Sequence, residues 1–63
     1  MPKYSHVFAT IKGTDCAIVN RVSRALRRGG VSDSIVEAFQ TEATAGDHQH
    51  LLQIVARWVT VKE

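Results

Sequence analysis

The segment from Asp15 to Arg28 limits the folds open to this chain more than any other. At 100° per residue, Ile18, Val19, Val22, Ala25 and Leu26 gather on one stripe, while Arg21, Arg24 and Arg28 gather opposite, with Arg27 beside them. Thr14 is placed to cap this helix, and Asp15 lies favourably against the positive end of its dipole. Gly29-Gly30 then supplies the backbone freedom that stops it. Such a helix can cover one apolar surface and no more.

The flanking segments ask for more cover than that. Tyr4 to Lys12 alternates as a strand, with Val7, Ala9 and Ile11 on one side and Tyr4, His6, Phe8 and Thr10 on the other. Both sides carry apolar groups. The second half of the chain supports two readings. In the first, Ile35 to Thr44 and Leu51 to Lys62 are strands joined by a turn at Ala45-Gly46-Asp47-His48. The β-branched Ile54, Val55, Val59, Thr60 and Val61 favour it. Leu51, Val55, Val59 and Val61 would then face away from Leu52, Ile54, Ala56 and Trp58. In the second, Ser34-Ile35-Val36-Glu37 is a capping box that opens a helix, and Leu51, Leu52, Val55, Trp58 and Val59 form a helical stripe. The strand reading leads to an α+β fold in the order β-α-β-β: a three-stranded antiparallel sheet with one amphipathic helix packed on one face. No repeat or linker interrupts residues 1–63, which form one domain.

A domain of this size buries only about 60% of the surface its unfolded chain exposes, so its core usually needs a supplement. Cys16 is the only cysteine, which excludes an internal disulfide, and the paired Cys and His spacings of zinc fingers are absent. With one sheet face uncovered, Tyr4, Phe8 and the row Val55, Val59 and Val61 would form an apolar patch larger than monomers usually tolerate. Self-association into a homo-oligomer is the expected remedy. A composition of 44% apolar and 22% charged residues belongs to a folded chain. No apolar run approaches the ~20 residues of a membrane span, and Met1 to His6 lack the apolar core of a signal peptide, so a cytoplasmic protein with no membrane partner is expected.

The candidate chemistry is that of binding. No nucleophile–base pair, phosphate-binding glycine loop or carboxylate dyad is visible, so a binding or storage module is expected rather than an enzyme, with no catalytic residues. Phe39 and Trp58 are aromatics able to stack on a flat ligand, and Gln53 can hydrogen-bond one. The arginine face of Arg21, Arg24, Arg27 and Arg28, with Lys12 near in sequence, suits phosphates of a nucleic acid or of an anionic cofactor. Asp33, Glu37, Glu42, Asp47 and Glu63 offset that charge to a net +2, and no aromatic interleaves the arginines, so nucleic-acid binding is the alternative function. A further alternative is an interaction or inhibitor module that pairs an exposed sheet edge with a partner. Cys16 in the first helical turn could be a reactive thiol, and on an extended segment His48 and His50 could share a metal with His6. Asp15 opposes the first, and no specific ligand spacing completes the second.

Two stretches carry a family resemblance. Ile11-Lys12-Gly13-Thr14-Asp15 resembles the strand, Gly-Thr, helix opening of the dodecins, small flavin-binding homo-oligomers with β-α-β-β subunits. His50 to Val55 and Val61 to Glu63 are similar to the dodecin final strand, with Gln53 near the place of that family's flavin-contacting Gln. The resemblance implies a closed homo-oligomer and a flavin ligand. The position where dodecins stack a Trp on the flavin falls near Ile35, so Phe39 or Trp58 would have to supply the aromatic platform.

Overall fold

A computed structural model describes residues 2–62. Strand β1 (Tyr4–Thr10) is followed by helices α1 (Asp15–Arg28), α2 (Asp33–Ala43) and α3 (His48–Trp58), and strand β2 (Val59–Lys62) closes the chain. The two strands pair in parallel as a two-stranded sheet. A parallel pair needs a long crossover, and the three helices form it.

This architecture corrects the β-α-β-β expectation. There is no three-stranded antiparallel sheet among the described residues, and three helices stand where one was expected. Ile35 to Ala43 is helical because Val36, Phe39 and Ala43, spaced three and four apart, all point into the core, and Thr44 is the C-cap. Helix α3 takes the first two thirds of the segment read as the last strand, burying Leu51, Ile54, Val55 and Trp58 on one stripe. The β-branched pair Ile54–Val55 is tolerated because packing outweighs its small helix penalty. Ser32, not Ser34, occupies the N-cap of α2.

The first half matches its sequence. Thr14 caps α1 by accepting from the Ala17 amide at 3.2 Å. At the other end, Gly30 has φ +89°, its amide donates to the Arg27 carbonyl, and the Val31 amide donates to the Leu26 carbonyl. This is a Schellman stop, with the left-handed residue one place beyond the Gly29 cap. Val31 and Leu26 are both buried, as that motif favours. Gly29 serves a different purpose: a Cβ there would lie 2.7 Å from Val7 Cγ2, so its bareness lets α1 approach β1.

The core lies between the sheet and the helices. Val7 and Ala9 of β1 meet Ile18, Val22 and Leu26 of α1, Val36 and Phe39 of α2, and Val55, Trp58 and Val59 beyond. Phe39 and Trp58 contact edge-to-face with ring centroids 5.4 Å apart, and Tyr4 stacks on Trp58 at 5.9 Å. The buried Trp58 indole N–H donates to Glu42 Oε1 at 3.2 Å. Val55 and Val59 are almost fully buried and Val61 is partly buried. The greasy row expected to drive self-association is therefore covered within one chain. Among the described residues, the exposed large hydrophobics are Phe8 at 53% and Ile35 at 39%. No described helix is long and apolar enough to cross a membrane.

Candidate functional site

Pleating sends Val7 and Ala9 inward and therefore Phe8 outward. In register, Phe8 sits beside Thr60 and Thr10 beside Lys62, so Phe8 and Lys62 share the outer face of the sheet. The Lys62 ammonium lies 5.7 Å from the Phe8 ring centroid. Next to this face, α1 presents Arg21, Arg24 and Arg28, which its helical period stacks along one flank. Between strand and helix runs an open groove of about 640 Å³. Ala9, Ala17 and Ala25 line it as well, and such small side chains leave the space.

Four cations and one aromatic thus line a groove that no carboxylate lines. None of the four cations forms an ion pair with a described carboxylate. Arg21 is fixed in place: one Nη1 donates to the carbonyls of Thr10 at 3.0 Å and Lys12 at 2.8 Å. That fork ties the end of β1 to α1 and occupies the last carbonyl of the strand, as natural edges are often blunted. Arg24 and Arg28 are exposed and extend the positive flank.

The arginine face read from the sequence is divided by the structure. Arg21, Arg24 and Arg28 reach the groove, whereas Arg27 turns to the α2 side and pairs with Asp33 at 3.1 Å. Phe8 and Lys62 were missed because they come from opposite ends of the chain, and pairing of β1 with β2 brings them to the arginines. The aromatic whose absence counted against a nucleic-acid site is therefore present in space though distant in sequence. Outward alternation of Phe8 in β1 was the one signal that could have pointed to it.

The aromatic platform is not assembled. Phe39 is fully buried, Trp58 is 4% exposed, and Gln53 stands exposed on α3; none of the three lines the groove. The three imidazoles serve separate braces. His6 Nε2 contacts the Gly29 carbonyl at 3.3 Å, His48 Nδ1 meets Asp15 Oδ1 at 2.6 Å, and His50 Nε2 contacts the Glu42 carbonyl at 2.9 Å. Among the described residues no group of three or more His, Cys, Asp or Glu is placed to hold a metal ion. Cys16 is exposed at the start of α1.

No protein-family model matches this chain, and no curated protein or solved structure matches it significantly.

Proposed function

We propose that this chain binds single-stranded nucleic acid along the groove between β1 and α1. The observation that carries this reading is the convergence of Arg21, Arg24, Arg28 and Lys62 around the exposed Phe8 with no acid among them. Cations in a row neutralise successive phosphates and release their counterions, which supplies affinity without sequence preference. An aromatic face set among them adds base stacking, and only an unpaired base can reach it. Arg21, held by two carbonyls, loses little freedom on binding. The test is fluorescence anisotropy of a labelled 12-nucleotide single strand titrated with the protein at several salt concentrations. Binding should weaken as salt rises, and a matched duplex should bind more weakly. Salt-independent affinity, or none at low salt, would reject the reading.

A compact phosphorylated ligand is the second reading, and the groove volume favours it: about 640 Å³ falls in the usual range for small-molecule sites. Flavin mononucleotide would set its ring on Phe8 and its phosphate among the arginines. Quenching of that flavin but not of riboflavin would support it.

A further inference from the structure

The groove does not end at Phe8. Beyond it a recess of about 250 Å³ runs on between β1 and the last turn of α1, and Phe8, Ala25 and Arg28 line both spaces. His6, Val7 and Gly29 complete the recess. No carboxylate lines it, so the positive character of the groove continues through Arg28. His6 and Phe8 stand exposed with buried Val7 between them, so both project from the outer side of β1. The imidazole is held in place. Its Nε2–H donates to the Gly29 carbonyl at 3.3 Å, and Tyr4, itself stacked on Trp58, meets it edge-to-face with ring centroids 6.3 Å apart.

We infer that His6 is a second stacking residue of the groove, and that the unit bound is a dinucleotide step: one base on Phe8, its neighbour on His6 and the linking phosphate on Arg28. The inference rests on the nucleic-acid reading of the groove. Residues two apart on a strand stand about 6.6 Å from each other, roughly twice the ~3.4 Å between stacked nucleotides. Neighbouring bases can therefore reach the two rings only after parting from each other, which an intact duplex does not allow and a sheet surface with aromatic side chains favours. An imidazole face stacks on a base as the larger aromatic faces do. Arg28 is placed for the phosphate between them, because it lines both spaces and forms no ion pair with a described carboxylate. The brace on His6 lowers what ordering that ring costs on binding.

Two variants separate stacking from bracing. His6→Gln removes the ring and keeps a donor for the Gly29 carbonyl, whereas His6→Phe keeps a ring and removes the donor. In anisotropy titrations of the labelled 12-nucleotide strand, His6→Gln should bind at least about fivefold more weakly with an unchanged salt slope, and His6→Phe should lie nearer to wild type. A smaller loss in His6→Gln, or a His6→Phe affinity nearer to that of His6→Gln, overturns the inference; backbone amide spectra check that both variants are folded. The step itself is tested on the unaltered chain. Thymidylyl-thymidine and the methyl phosphodiester of thymidine carry the same single charge but differ by one base. The first should bind at least about fivefold more tightly in an NMR titration, and a smaller gap overturns the dinucleotide unit. The groove reading fails separately: without salt-dependent binding of the 12-nucleotide strand by wild type both fall, whereas such binding left intact in His6→Gln removes only the second stack.

Discussion

The buried Ser23 hydroxyl accepts from the Gln40 side-chain amide at 2.9 Å while donating to the Val19 carbonyl at 2.7 Å. It is the one buried polar residue among the described ones, and it locks α1 against α2. Ser23→Ala leaves the Gln40 amide without this acceptor and should cost about 1–2 kcal/mol. Thermal melts followed by circular dichroism should show it, at about 4–8 °C for each kcal/mol in a domain of this size. A double change with Gln40→Leu should recover part of that loss.

The two glycines that end α1 should respond differently. Gly30→Ala places a side chain at φ +89°, a strain of about 1–2 kcal/mol that Gly30→Asn should lessen. Gly29→Ala instead drives a methyl into Val7 and should cost about 1–3 kcal/mol. Only the Gly29 variant should shift the amide resonances of β1 in a two-dimensional NMR spectrum.

Within the groove, the slope of log K against log salt should be about −2 to −3 if all four cations meet phosphates, and Arg24→Ala with Arg28→Ala should flatten it by about 1.4. Phe8→Ala should weaken binding by about 1–3 kcal/mol while leaving the slope unchanged, because stacking carries no counterions. Anisotropy titrations of the two variants separate these effects.

Arg27 provides the contrast. It pairs with Asp33 on the exposed side of α2, so Arg27→Ala should change strand affinity less than about twofold and stability by less than about 1 kcal/mol. A loss as large as that of Arg24→Ala would show that the strand follows the whole arginine face.

Val55 is fully buried between α3 and the rest of the core. An unpaired carboxylate cannot be accommodated there, so Val55→Asp should unfold the chain. Loss of the helical circular dichroism signal is the expected outcome; a folded protein of altered mass would point to a contact surface instead.

Local signals carried the first half of the fold. Thr14, the stripe from Ile18 to Leu26 and the glycine pair lie within one stretch, and each names its own place in a helix. The second half departs from the strand reading twice: α2 stands where a strand was expected, and Leu51 to Lys62 divides at an unmarked boundary. Trp58 ends α3 and Val59 begins β2 with no glycine, proline or turn residue between them, so β-branched residues of the strand merged with those of the helix before it. The Val59 amide still donates to the Val55 carbonyl, although Val59 itself is extended at φ −135°. Nothing in residue type marks such a junction. The candidate site was half legible for a related reason. Arginine spacing on one helix is a local pattern, whereas the neighbourhood of Phe8 and Lys62 follows from a strand pairing that spans the chain.

That pairing also makes the groove depend on a contact between distant segments. Tyr4 to Thr10 has no ladder partner until residues 59–62 have been made and brought alongside. Helices as short as α2 and α3, 11 residues each, are marginal alone and draw their stability from the packing that the closed fold provides. Closure over so long a separation is slow compared with helix formation. Until it happens, Phe8 and the arginine flank of α1 have no fixed relation to Lys62, so the groove exists only once the sheet has closed.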